Sequence, residues 1–213
     1  MSTNRLRSII ALLLGGIAVV GCYYFVDRPV AWFVHNHRFY SDEFLLWPPL
    51  VSEWLTYLVI LGMVVVVVWR LRRPGGELQK LLLAIAVNLI ATAAIKIVLK
   101  WMFGRTWPET WIDNNPSFIG DAIYGFHPFH FERAFQSFPS GHAASTFAVI
   151  SILWLSRPRW RWLYAIVGGL MCAALVGLNY HFVGDVIAGA MLGSVTGICA
   201  TRIFRLQPVV TEQ

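Results

Sequence analysis

Charge is what this chain has least of. Only 13% of its 213 residues are Asp, Glu, Lys or Arg, while 57% are hydrophobic. A soluble domain of this size, in which about a quarter of residues carry charge, is therefore excluded. Cysteine is nearly absent as well. Cys22, Cys172 and Cys199 all fall inside apolar runs and have no loop partners, so no disulfide framework is expected and the three read as small packing residues. The stretch Val19–Cys22 has the look of a lipoprotein cleavage box, but the apolar run continues past it and reads as an uncleaved first span. Internal repeats and low-complexity tracts are missing too, leaving one membrane-embedded domain over 1–213.

What the chain has is long apolar runs. Six stretches, at 8–26, 50–69, 80–103, 142–156, 162–180 and 185–203, approach the ~20 residues needed to cross a bilayer core as helix. The net charge of +6 has the sign that suits nucleic acid, but its placement argues against that partner. Arg5 and Arg7 precede the first run. Arg70, Arg72, Arg73 and Lys80 lie between the second and third, Arg157, Arg159 and Arg161 between the fourth and fifth, and Arg202 and Arg205 at the end. Basic residues on alternate loops set topology, with both termini cytoplasmic. The expectation is an all-α, six-span protein of a bacterial inner membrane, its active site at the outer membrane–water interface.

Three clusters return to that outer face. In the third run Asn88, Thr92, Lys96 and Lys100 recur every four residues, which on a helix makes one polar stripe facing the bundle interior. Arg105 follows closely. Ser140-Gly141-His142 opens the fourth run, where helix-start amides favour an anion. His181 and Asp185 mark the turn into the sixth. The 39 residues from His142 to His181 correspond to ~58 Å of helix, two crossings, so both histidines come back to one face. Ridges of small residues, Gly169/Ala173/Gly177 and Gly189/Gly193/Gly197, suit close helix contact. The long outer loop from Gly104 to Pro139 is rich in aromatics and reads as an ordered cover on lipid. His35 and His37 read as surface histidines, and His127, His130 and Glu132 as a possible metal cluster that the intervening Pro128 and the loop setting disfavour.

Cations and helix-start amides gather phosphate. An imidazole whose tautomer a carboxylate fixes can attack phosphorus, and a second imidazole can protonate the leaving oxygen. At these residues the chain resembles the type 2 phosphatidic acid phosphatase family of membrane lipid phosphatases, related to vanadium haloperoxidases. That family's pattern is Lys, six residues, Arg-Pro; then Pro-Ser-Gly-His; then Ser-Arg, five residues, His, three residues, Asp. Pro139-Ser140-Gly141-His142 and the His181/Asp185 pair are intact. The two pattern arginines are Trp107 and Leu175 here.

The resemblance implies a phosphohistidine mechanism with His181 as nucleophile, Asp185 orienting it and His142 as general acid. Phosphate would be held by Lys100, Arg105, Ser140 and Gly141, with Lys96 or Arg133 as further candidates. It implies no metal or other cofactor. The substrate would be a lipid phosphate or diphosphate in the bilayer. Transfer of the phosphoryl group to another lipid, or a site that binds lipid without turnover, are the alternatives.

Overall fold

The computed structural model describes residues 3–37, 54, 62, 65, 69, 76–110 and 114–208. Its regular elements are helices. Helix α1 (Thr3–Gly21) runs through one wider turn (Cys22–Val26) into α2 (Asp27–His37). After it come α3 (Glu77–Phe103), a one-turn α4 (Phe118–Asp121), α5 (Gly141–Ser156), α6 (Arg161–Gly177) and α7 (Val183–Ile203). Four segments are long and apolar enough to cross a membrane: Ile9–His37, Glu77–Phe103, Pro158–Gly177 and Val183–Ile203, with Gly141–Ser156 shorter. The span expected at 50–69 lies almost wholly outside the described residues.

The centre of the bundle is α5 against α7, with α3 laid across both. Glycine makes that contact close. A Cβ at Gly189 would collide with the Ser140 carbonyl, one at Gly193 with the Ala144 carbonyl, and one at Gly197 would stand 2.8 Å from the Ala148 carbonyl. The second small-residue ridge behaves differently from expectation. Gly169 has open space beside it and Ala173 is exposed. Gly168 makes the packing contact instead, against Phe147. A ridge needs a partner helix on its own side, and α5 meets α6 one residue out of that register.

The polar stripe of α3 does face inward. Asn88 Nδ2 donates to the Ala148 carbonyl at 3.2 Å, and the Thr92 and Thr196 hydroxyls meet at 2.8 Å. One end of the bundle is closed by Leu81, Ile85, Ile152, Ala200 and Leu206, with Lys80 donating to the Arg205 carbonyl beside them. The other end carries the motifs.

Candidate active site

Each motif residue reaches this end through a local device that its own sequence supplies. Helix α3 stops at Gly104, whose φ of +53° is the left-handed cap that glycine tolerates, and whose missing side chain admits the His127 carbonyl. The chain then turns inward, so Thr106 and Trp107 are buried and Arg105 is only 1% exposed. Helix α5 is capped by Ser140, whose hydroxyl accepts from the Ala143 amide. Ser140's own amide donates to the Asp185 carbonyl at 3.0 Å, tying the start of α5 to the first turn of α7. Helix α6 ends where Asn179 takes a positive φ, and the Tyr180 and His181 amides both donate to the Leu175 carbonyl. Asp185 caps α7 by accepting from the Phe182 amide at 3.1 Å.

His181, 2% exposed, lies against Asp185, but the shortest link between them passes through a third residue. The Ser137 hydroxyl donates to Asp185 Oδ2 at 2.6 Å and lies 3.3 Å from His181 Nδ1, whereas Nδ1 is 3.7 Å from Oδ2. With Nδ1–H donating to Ser137 Oγ, the carboxylate's hold on the ring is relayed and Nε2 keeps its lone pair. Burial pushes the His181 imidazole below its ordinary pKa, and the neighbouring Asp185 carboxylate only partly opposes that. The ring is therefore neutral near pH 7. Ser137 was not legible as a site residue, because only the fold brings it across 44 positions to His181.

His142 stands in the first turn of α5 with its ring 5.8 Å from that of Tyr180, which lies 5.3 Å from the His181 ring. It is within electrostatic reach of His181, Lys100 and Lys96, and its imidazole makes no hydrogen bond among the described residues. Lys96 passes close by the backbone of Gly141: a Cβ there would lie 3.3 Å from Nζ. Among the described residues Lys96 has no ion pair or hydrogen bond, and the Gly141 and His142 amides have no acceptor. Lys100 donates to the Gln136 carbonyl and lies 5.6 Å over the Trp107 ring.

Arg105 is committed elsewhere. Nη1 donates to Asp185 Oδ1 at 2.5 Å, and Nη2 donates to Asp27 Oδ2 at 2.7 Å and to the Tyr124 hydroxyl at 2.9 Å. Despite burial, which alone would lower it, the two carboxylates carry its pKa above the ordinary arginine value. It neither snorkels outward nor points at the His142–Lys96 corner. Arg133 is exposed, and what it brings to the site is its carbonyl, which accepts from Trp107 Nε1 at 3.0 Å.

The two positions without their pattern arginines are filled. The Trp107 ring lies 5.1 Å from that of His181 and walls it. Leu175 is fully buried in an apolar cluster with Ala143, Met171 and Val186. His35 is no plain surface histidine, since its Nδ1 meets Glu109 Oε1 at 2.5 Å. Among the described residues no three His, Cys, Asp or Glu side chains converge as a metal cluster.

Among the described residues, one end of the bundle thus brings together a buried His–Asp pair, a second histidine at a capped helix start, a lysine with no partner and two helix-start amides with no acceptor. The PAP2 superfamily profile matches residues 81–208, and the chain belongs to that family. Among curated relatives, lipid A 1-phosphatases of Rhizobium johnstonii and Rhizobium etli are each 32% identical over 133 residues, 57% of this chain and 50% and 52% of theirs. An undecaprenyl-diphosphatase of Sulfolobus acidocaldarius is 27% identical over 130 residues, 59% of this chain and 58% of its own. The chain thus spans about half the length of these relatives. No solved structure matches.

Proposed function

We propose that the chain is a membrane phosphatase that removes phosphate from a lipid phosphate or diphosphate at the outer leaflet of a bacterial inner membrane. The observation that carries this reading is the convergence of His181, Asp185 and His142 with Lys96 and two helix-start amides that have no acceptor among the described residues. In the first step Nε2 of His181 gives its lone pair to phosphorus. The bond from phosphorus to the lipid oxygen breaks, and that oxygen takes a proton from protonated His142. In the second step water attacks phosphorus, neutral His142 accepts the water proton, and the N–P bond breaks to release inorganic phosphate. Asp185 and Ser137 hold Nδ1–H throughout, so the phosphorylated ring is a cation facing a carboxylate.

Phosphate oxygens are assigned to Lys96, Lys100 and the Gly141 and His142 amides, with Ser140 shaping the helix start. A helix N-terminus and two ammonium groups suit the spread charge of a transferring phosphoryl group. Arg105 is assigned to Asp185 rather than to phosphate, and Arg133 has no assigned contact. The relatives' names, lipid A 1-phosphatase and undecaprenyl-diphosphatase, support the substrate class. The site's end of the bundle lies away from Lys80 and Arg205, consistent with a cytoplasmic basic end and an outer site.

A second reading has its own observation. Trp107 and Leu175 leave two guanidinium forks missing, as in a site that binds a lipid phosphate or passes the group on without hydrolysis. Purified full-length protein incubated with lipid A-type, polyprenyl and glycerolipid phosphates separates the readings. Phosphate release from at least one, lost in His181→Ala, supports hydrolysis. Binding with no release from any contradicts it.

A further inference from the structure

We infer that Asp27, on the N-terminal helix, is a positioning residue for the His181–Asp185 pair, acting through Arg105. This rests on His181 being the nucleophile. Asp27 and Arg105 are each 1% exposed and Asp185 is fully buried. The Arg105 fork spans the two carboxylates, one terminal nitrogen to each, at 2.7 Å and 2.5 Å. Asp27 also accepts from the Gly184 amide at 2.9 Å, so it grips the residue next to Asp185 directly as well as through the arginine. The Tyr124 hydroxyl, itself donating to the Tyr23 carbonyl at 2.6 Å, closes the arrangement. Asp27 lies outside residues 81–208, so α2, upstream of the matched segment, completes the site.

The clamp has an electrostatic consequence. Two carboxylates and one guanidinium leave a buried net charge of −1, which faces the cation formed when His181 takes phosphorus or a proton. The other groups facing His181 are the Ser137 hydroxyl, the Trp107 and Tyr180 rings, Lys100 and His142. Asp27→Asn takes the cluster to zero, Arg105→Gln takes it to −2, and the double variant restores −1. A less negative cluster makes the imidazolium harder to form, and a more negative one makes it easier.

The test uses full-length protein in detergent with one lipid phosphate substrate, measuring kcat, inhibition by inorganic phosphate and the acid limb of kcat/KM. Asp27→Asn is expected to cut kcat about tenfold or more, with phosphate inhibition within about twofold of wild type, as for a residue that does not bind the phosphoryl group. Its acid limb moves to lower pH, that of Arg105→Gln to higher pH, and that of the double variant returns near wild type while kcat stays low. Unchanged kcat in Asp27→Asn overturns the inference. So do limbs that shift together, or loss of phosphate inhibition in step with activity in Arg105→Gln. Should a single variant fail to fold because one buried charge is left unpaired, the double variant removes both charges and its limb decides the matter. Phosphohistidine labelling of wild type, run alongside, isolates the premise: no label on His181 refutes the nucleophile reading and not the clamp geometry.

Discussion

Removing one hydroxyl should disable this site without touching any group that meets substrate. Ser137 is fully buried, donates to Asp185 at 2.6 Å and is the nearest acceptor to His181 Nδ1 at 3.3 Å. In Ser137→Ala the ring faces Asp185 across 3.7 Å, beyond a hydrogen bond. Among the described residues, Oδ2 then keeps only the Phe182 amide as a close donor. A hydrogen bond to a charged partner is worth about 1.5–3 kcal/mol. If that stabilisation is what holds Nε2 in line with phosphorus, its loss lowers kcat about ten- to a hundredfold. KM should stay within about twofold, because no phosphate contact is lost. Ser137→Thr, which keeps the hydroxyl, should retain more activity than Ala. The assay is phosphate release from a soluble short-chain lipid phosphate at several pH values. Wild-type kcat in the alanine variant would refute the relay.

His142→Ala should slow turnover sharply for alkyl phosphates and much less for substrates whose leaving group needs no proton; equal loss for both would remove it as the acid. Because burial holds His181 below the ordinary histidine pKa, neutral nucleophile persists through ~6.5, and the acid limb of kcat/KM should lie below that value. The same depressed value means the unfolded chain takes the proton first, so stability should be full above ~6.5 and decline as pH falls through the folded value; a limb above 6.5 would contradict the burial argument. Gly193→Leu should destabilise the fold, since even a Cβ there collides with the Ala144 carbonyl; a thermal midpoint unchanged from wild type would show that α5 and α7 do not pack this closely.

The residues legible in the sequence are those whose spacing along one helix carries the chemistry. The α3 stripe, the Ser140 cap and the His181–Asp185 step all depend on separations of a few residues; helical periodicity projects the stripe, and the helix starts at Ser140 and Phe182 place the other two. Arg105 was legible as a cation near the site but not in its role. Its partners lie 78 and 80 positions away, and a charge pattern cannot distinguish a carboxylate clamp from a phosphate fork. Asp27 and Ser137 gave no local signal for the same reason. His35 lacked a visible partner because Glu109 arrives from 74 residues on. The Gly169 ridge had the right period, but periodicity does not say which neighbour a face will meet.

The proposed mechanism requires that His181 itself carry the phosphoryl group. Wild-type protein mixed with lipid substrate labelled in the phosphate to be released, quenched without acid and digested, should yield label on the peptide containing His181, with none from His181→Ala. Label that persists in His181→Ala, or turnover by wild type with no phosphohistidine at any quench time, would contradict the account.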